Sequence, residues 1–193
     1  MVLKPSKIWK TEKPKTVIQD EASDTGSDAF YKPDIETDKF PLEKLLDTII
    51  YSMELSVKSF YELSVDELYR ILKLRVDVFV VEQNCPYEEI DDQDQEAIHL
   101  YLSDDEKIEA YLRIINEGDH AKIGRVIAKK RRKGLGTTIM KEAIRVCKEV
   151  LKKDKIIVEA QTYAREFYEK LGFRAISEPF DLDGIEHIKM IRE

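Results

Sequence analysis

The residues with the clearest chemical potential lie in one stretch, RVIAKKRRKGLGTTIMKEAI, from Arg125 to Ile144. An apolar run is followed by five consecutive basic residues, 129 to 133, and then by Gly134 and Gly136, which open an amphipathic helical pattern. A strand, a glycine turn and a helix start direct backbone N–H groups toward one point, and the helix dipole adds partial positive charge there. Glycines remove the Cβ atoms that would keep a bulky anion away, and basic side chains supply full charge. The stretch therefore predicts a pyrophosphate site.

This turn differs from two common phosphate-binding loops. The Gly-x-x-x-x-Gly-Lys spacing of a Walker loop is missing, and a dinucleotide fingerprint would need more than one Gly-x-Gly. The basic run also has plainer interpretations as a solvated face, a nuclear-import signal or a nucleic-acid contact. A formal net charge of -7 argues against general nucleic-acid binding.

The elements around this turn indicate a mixed α+β sheet with helices on its faces. The first predicted helix opens with a capping box, Ser64 and Glu67, and the last ends at Gly172. Period-two alternation and turn-prone segments predict the strands. In chain order the predicted elements are a strand at 54–63, a helix at 64–83, strands at 97–103, 107–116 and 121–128, the helix after the glycine turn, a strand at 155–160, a helix at 162–172, and strands around 173–177 and 186–192.

The N-terminal part differs in composition from the rest. Residues 1 to about 38 are rich in Lys, Asp, Ser, Thr and Pro and are expected to bury little surface. The next segment, FPLEKLLDTIIY, has helical spacing of its apolar residues and predicts a short amphipathic helix near 41–51. We therefore divide the chain into an extension, residues 1–52, and a domain, residues 53–193. Whether the short helix docks on that domain or on a partner stays open.

Several ordered motifs carry a family resemblance. RRKGLG fits the Arg-x-x-Gly-x-Gly pattern of the GNAT superfamily of acyl-CoA-dependent N-acyltransferases. LRVDVFVVEQNCPYEEID, IGRV, AQTYAREFYEKLGF and GIEHIKM are similar, in order, to the ElaA-like branch of that superfamily. The resemblance covers about residues 53 to 193. It implies the GNAT fold and direct transfer of an acetyl group from acetyl-CoA to a primary amine.

The resemblance also implies which residues bind coenzyme A. The glycine turn would hold the pyrophosphate, the strand before it would pair by its backbone with the pantetheine arm, and Tyr168 would face the sulfur. Gln161 stands where many members of the superfamily have Asn. The expected cofactor-binding residues are Ile123, Gly124, Arg125, Val126, Ile127, Arg131, Arg132, Lys133, Gly134, Leu135, Gly136, Thr137, Gln161 and Tyr168.

Acetyl transfer to an amine requires a base, because a primary amine is protonated at pH 7. Glu82 and His99 are the first candidates, ahead of the carboxylates of the acidic loop 88–96. A strand N–H near residues 124–126 would meet the developing oxyanion. Tyr168 is expected to donate a hydrogen bond to the leaving thiolate, although its place in a helical apolar stripe also fits a packing role.

Other features of the sequence restrict the possible functions further. The acidic loop 88–96 is interpreted either as a solvated loop or as a region that attracts a cationic amine. Cys147 is predicted to be a core thiol, whereas Cys85 lies in a loop where a reactive thiol is conceivable. Histidine spacing predicts no metal site. Short apolar runs and the absence of a signal-peptide pattern favour a cytoplasmic protein without a membrane partner.

The main alternative to an enzyme is a binding module that has a GNAT fold and holds an acyl-CoA without catalysis. The acceptor would be an amine on a small molecule or a peptide, with no nucleic-acid partner. The identity of this acceptor, the oligomeric state (including a homodimer) and the role of residues 1–52 stay open.

Overall fold

The computed structural model of the chain describes residues 53 to 105, 107 to 129 and 134 to 193. All of them belong to one compact unit, Lys39–Glu193. The predicted extension and its helix near 41–51 lie outside the described residues, so the proposed domain boundary stays a prediction. Arg131, Arg132 and Lys133 of the predicted pyrophosphate site also lie outside them.

The described residues form one eight-stranded mixed sheet. The mixed sheet confirms the prediction, but the sequence predicts seven strands and not the short one at Phe180–Leu182. Its strand order is β1-β2-β3-β4-β5-β8-β6, with β7 pairing on β8. β4 and β5 are parallel, and the other pairs are antiparallel. The strands are β1 Glu54–Ser59, β2 Ile98–Asp104, β3 Lys107–Asn116, β4 Ala121–Ala128, β5 Ile156–Gln161, β6 Arg174–Ala175, β7 Phe180–Leu182 and β8 Ile185–Arg192.

In the described part of the chain, three α-helices flank this sheet: α1 Val65–Arg75, α2 Leu135–Glu149 and α3 Arg165–Lys170. The predicted capping box starts α1, since the backbone N–H of Glu67 donates to Ser64 Oγ at 3.2 Å and the N–H of Ser64 to Glu67 Oε2 at 2.8 Å. The sequence predicts a single helix through residue 83. The chain instead widens into π-helical turns at Val76–Glu82, where four valines would lose side-chain freedom in a regular α-helix.

The two faces of the sheet carry separate cores. α1 packs its Ile71 and Leu74 on one face, which we call the α1 face. α2 and the buried Tyr168 of α3 pack on the opposite face, the α2 face. Cys147 is fully buried there, and burial raises the pKa of its thiol to about 12, which confirms a core thiol. Cys85 is buried as well, and its thiol donates to the carbonyl of Asp183 at 3.1 Å.

A gap opens between β4 and β5. Their parallel register covers only the pairs Ala121↔Ile156 and Lys122↔Ile157. β4 nevertheless continues to Ala128 and β5 to Gln161, so the strands diverge toward their carboxyl ends. α2 begins shortly after the end of β4, and α3 shortly after the end of β5. The sheet thus gathers a glycine turn, an open strand edge and Tyr168's helix around one gap.

Candidate active site

The glycine turn at the start of α2 leaves backbone donors without an acceptor in the helix. Gly134 is the N-cap residue with φ of 80°, a left-handed conformation that glycine adopts readily. No side chain among the described residues caps this helix, and its first internal bond runs from the N–H of Thr138 to the carbonyl of Gly134 at 2.9 Å. The N–H groups of residues 135 to 137 therefore need an acceptor from outside the helix. An anion at this point would satisfy them.

The residues of this turn contribute in different ways. Leu135 is buried in the core, so only its backbone can face a ligand. Thr137 is half-buried. A Cβ placed on Gly136 would lie 3.5 Å from the ring of Phe167, which precedes Tyr168. The turn and α3 are therefore in close contact, and the predicted pyrophosphate and sulfur sites are neighbours.

The far half of β4 forms one edge of the gap. Ile123 and Ile127 bury their side chains in the two cores, whereas Gly124, Arg125 and Val126 are half-buried. The pairing with β3 shifts within this segment and Arg125 has φ of 55°, so the strand contains a β-bulge. A Cβ added to Gly124 would meet nothing within 4 Å. This edge therefore offers open space and backbone groups to an extended ligand.

Tyr168 lies on the α2 face beside this gap. Its side chain is 7% exposed and makes edge contacts with Phe167 and Phe173 at ring-centroid distances of 5.0 and 5.8 Å. Burial raises the pKa of the phenol, so its hydroxyl stays protonated at neutral pH. No hydrogen bond joins this hydroxyl to another described residue. The side chain thus packs in the core and keeps an O–H donor for an incoming group.

Gln161 is the last residue of β5, the strand on the other side of the gap. Its amide nitrogen donates to Gln83 Oε1 at 2.9 Å. Gln83 directly follows the π-helical turns of the α1 face. The Gln161 side chain is therefore engaged within the protein and ties the end of β5 to that segment.

His99 is not placed to accept a proton from a substrate. It is fully buried, and its Nε2–H donates to the carbonyl of Asp94 at 3.0 Å while Nδ1 accepts from the Tyr111 hydroxyl at 2.9 Å. Burial lowers the pKa of this imidazole, which keeps it neutral. The sequence places His99 on a strand but does not show that both ring nitrogens are occupied. His99 is a buried structural residue, and its ranking as a base candidate is corrected.

A buried ionic cluster holds the acidic loop against the sheet. It consists of three arginines and three carboxylates: Arg75, Arg113, Arg125, Glu89, Asp91 and Asp94. Arg75 is fully buried; its Nη1 lies 2.7 Å from both carboxylate oxygens of Asp94, and its Nε lies 2.6 Å from Glu89 Oε1. Buried charges persist when they are paired and hydrogen-bonded in this way.

The other two arginines extend the buried ionic cluster to the bulge of β4. Arg113 bonds Asp94 at 2.8 Å and also pairs with Asp91. Burial alone raises the pKa of Asp91, but the hydrogen bonds and charge of Arg113 outweigh it and lower this pKa to about 2. Arg125 donates to Glu89 at 2.9 Å and lies against the rings of Phe79 and Tyr87.

This arrangement corrects the interpretation of the acidic loop 88–96. Glu89 and Asp94 are buried and neutralised by arginine, so they neither form a solvated loop nor attract a cationic amine. The sequence misses the cluster because its arginines lie in the helix and strands of the core, where the pattern predicts apolar packing. Arg75, for example, is separated from its partners Glu89 and Asp94 by 14 and 19 positions in the sequence.

His187 lies on β8, next to the end of β5 that borders the gap. It is half-buried on β8 and pairs in register with Gln161. Its Nδ1 lies 2.8 Å from the carbonyl of Ile185, and since a carbonyl only accepts, Nδ1 carries the proton. Sequence analysis does not rank His187, although GIEHIKM, one of the motifs that carry the resemblance, contains it. Glu82 is exposed at the end of the π-helical turns, and its side chain has contacts of its own.

Two properties of the described residues concern metal ions and membranes. No group of His, Cys, Asp and Glu side chains is arranged to hold a metal ion. Within the same residues, no helix is long and apolar enough to cross a membrane.

Known proteins resemble this chain over most of the described unit. A family model described as an acetyltransferase (GNAT) domain matches residues 67–193. Protein ElaA of Escherichia coli is 37% identical over 139 residues, which is 68% of this chain and 91% of ElaA. The crystal structure of E. coli ElaA has a TM-score of 0.69 at 35% identity, covering 73% of this chain and 99% of ElaA. An acyl-CoA N-acyltransferase from Pseudomonas aeruginosa has a TM-score of 0.70 at 34% identity, covering 74% and 100%.

Proposed function

This chain belongs to the GNAT acetyltransferase family, in its ElaA-like branch, and from that premise we propose that it transfers an acetyl group from acetyl-CoA to a primary amine. The observation that carries the proposal is the uncapped start of α2 at Gly134, next to the open edge of β4 and to Tyr168. Together they offer an anion site, a backbone edge and a phenol donor around one gap. These are the groups that a thioester of a nucleotide diphosphate needs.

The proposed binding mode follows from these three groups. The diphosphate of acetyl-CoA accepts hydrogen bonds from the first-turn N–H groups of α2, and the basic residues 129–133 add charge. The pantetheine arm runs along β4 between Ile123 and Ile127, where β5 no longer pairs. The thioester then lies at the bulge, with a backbone N–H of residues 124–126 directed at its carbonyl oxygen.

Direct transfer needs no covalent enzyme intermediate. The neutral amine attacks the thioester carbonyl carbon, the strand N–H stabilises the oxyanion, and the C–S bond breaks to release the thiolate of coenzyme A. Tyr168 donates a hydrogen bond to that thiolate. Full proton transfer from a phenol to a thiolate is uphill by about 2 kcal/mol on reference pKa values, and the raised pKa of Tyr168 increases this cost.

Tyr168→Phe should lower kcat while leaving acetyl-CoA binding intact. Phenylalanine keeps the ring packing against Phe167 and Phe173 and removes only the hydroxyl. A hydrogen bond to a charged group contributes about 1.5–3 kcal/mol, so we expect kcat to fall roughly 10- to 100-fold. Thiol release measures kcat, and calorimetry measures the affinity. An unchanged kcat would show that Tyr168 only packs.

The proposal itself is tested by an acceptor screen on the full chain. Acetyl-CoA is mixed with spermidine, glucosamine, an aminoglycoside antibiotic and a tripeptide, and free thiol is monitored. We expect thiol release that depends on both the chain and an amine. If acetyl-CoA binds but no amine of the panel releases thiol, the non-catalytic acyl-CoA-binding module is the correct assignment.

A further inference from the structure

We propose that His187 is the general base that takes the proton from the attacking amine. This inference rests on the proposed transferase function. That proposal names no residue for removal of the amine proton, and this inference supplies one. Three observations carry it: the protonation of the ring, its place one strand from the gap, and the face of the sheet on which it lies.

The hydrogen bond to Ile185 fixes the form of the imidazole. Nδ1 donates to the carbonyl of Ile185 at 2.8 Å. In the neutral ring only one nitrogen carries a proton, so Nε2 has a free lone pair. No described residue makes a hydrogen bond with Nε2. His99 and His120 differ: His99 uses both ring nitrogens in the core, and His120 pairs with Glu117 and Asp119 at the β3–β4 turn.

The sheet register places His187 one strand from the gap, next to the end of β5 that borders it. His187 lies directly opposite Gln161, the last residue of β5. β5 has by then separated from β4, because their pairing ends at Ile157. Directly opposed residues on antiparallel strands lie on the same face. Gln161 contacts Gln83 on the α1 face, so His187 belongs to that face as well.

Tyr168 and His187 therefore lie on opposite faces of the sheet. Ile188 and Met190, one and three residues after His187 on β8, pack with Tyr168 in the core of the α2 face. Side chains alternate along a strand, so His187 points the other way. In the tetrahedral intermediate the amine nitrogen and the thioester sulfur are separate substituents of one carbon, and each requires its own proton acceptor or donor. A base on one face and a hydrogen-bond donor for the thiolate on the other match that requirement.

The step balances with these two residues. The ammonium form of the acceptor first loses one proton to solvent and becomes a neutral amine. Its lone pair forms the N–C bond, the C–S bond breaks, and the electron pair leaves on the thiolate of coenzyme A. The second nitrogen proton passes to His187 Nε2, and the imidazolium then returns it to solvent. The products are an amide and coenzyme A.

Several side chains on the neighbouring elements surround the ring of His187. The ring of Phe180 on β7 lies 6.3 Å from it, and Gln83 and Gln161 on the α1 face are uncharged. Glu159 on β5 is paired with Lys122 at 2.8 Å. The other charged residues on β6, β7, β8 and the β7–β8 turn are Arg174, Asp181, Asp183, Glu186, Lys189 and Arg192.

His187→Asn tests the inference, because the amide nitrogen of asparagine can replace Nδ1–H as donor to Ile185. Thiol release is followed with acetyl-CoA and whichever panel amine gives the unmodified chain its highest rate. We expect kcat at pH 7 to fall about 100- to 1000-fold, within the usual range for a general base. The affinity for acetyl-CoA, measured by calorimetry, should change less than about twofold, since His187 faces away from Tyr168.

Two further readouts separate a base from a structural residue. The unmodified chain should lose kcat/KM on the acid side between pH 5 and 8, the range in which imidazoles change charge, and His187→Asn should flatten this limb. Added imidazole should restore turnover to His187→Ala in proportion to its concentration. His120→Asn makes the same change at the β3–β4 turn and should leave kcat unaltered.

Failure of the base assignment can be distinguished from failure of the transferase proposal. If His187→Asn keeps kcat within about threefold, or loses rate while retaining the acid limb, the assignment of the base is wrong and the transferase stands. If the unmodified chain itself releases no thiol with any panel amine, the transferase proposal fails, and this inference falls with it.

Discussion

Gly134→Val should reduce the affinity for acetyl-CoA by at least about 100-fold, because two or more charge-assisted hydrogen bonds of about 1.5–3 kcal/mol each would be lost. Gly134 has φ of 80°, and a β-branched side chain is strained in that conformation. The turn would have to change, and the first N–H groups of α2 would then no longer point at one site. Calorimetric titration with acetyl-CoA measures the loss.

Gly118→Val is the matched control for this substitution. Gly118 has nearly the same φ, 82°, and a Cβ there would meet nothing within 4 Å. It lies in the β3–β4 turn, at the opposite end of β4 from the glycine turn. Both variants should lose similar amounts of thermal stability, and only Gly134→Val should lose binding. Equal affinities in the two variants would contradict the assignment of the turn.

Asp94→Ala should lower the free energy of unfolding by about 3–5 kcal/mol, since it removes one carboxylate partner from each of two buried arginines. Asp94 accepts hydrogen bonds from both Arg75 and Arg113, which are 0% and 3% exposed. Removing it takes away the carboxylate that these two arginines share and leaves Arg75 with Glu89 and Arg113 with Asp91. Nε of Arg113 already has no partner among the described residues. Such a loss is a large part of the roughly 5–15 kcal/mol that stabilises a typical domain. Equilibrium unfolding in urea measures it.

Asp77→Ala makes the same chemical change at an exposed ion pair. Asp77 lies 3.1 Å from Lys73 in an i,i+4 arrangement, and both side chains are more than half exposed. We expect this control to cost less than about 1 kcal/mol. A loss of similar size for both variants would mean that the buried ionic cluster contributes no more than a surface pair.

The parts that the sequence predicts well depend on local patterns. The capping box at Ser64, the strand alternation and the glycine turn each follow from residues within a few positions of one another. Their order along the chain was enough to indicate a mixed sheet with flanking helices. Gly134 was singled out for lacking a Cβ, and the structure adds that its backbone is left-handed.

The parts that the sequence did not predict depend on contacts between distant segments. Arg125 meets Glu89 and Asp91 across 36 and 34 positions, and no spacing rule connects them. The pattern of the acidic loop therefore does not show that Glu89, Asp91 and Asp94 are paired with arginine, whereas Glu88, Asp92 and Glu96 are exposed. The π-helical turns of Val76–Glu82 escape prediction for a different reason, since they continue directly from α1 and no local pattern separates them from it.

His99 and His187 show the same limit of sequence-based prediction at the candidate active site. His99 and His187 both lie on strands, so sequence position alone does not rank them. The hydrogen bonds do: His99 is occupied at both nitrogens, whereas His187 is held at Nδ1 only. Which face His187 occupies depends on the β5–β8 register, and a shift of one residue would reverse it.

Titration of the full chain with coenzyme A and, separately, with pantetheine tests the pyrophosphate site most directly. Pantetheine keeps the thiol and the arm that would lie along β4 and lacks the nucleotide diphosphate. We predict one coenzyme A site per chain and an affinity for pantetheine at least about 100-fold weaker, a difference of about 2.7 kcal/mol. Equal affinities for the two ligands would contradict the account, because the start of α2 would then hold no diphosphate.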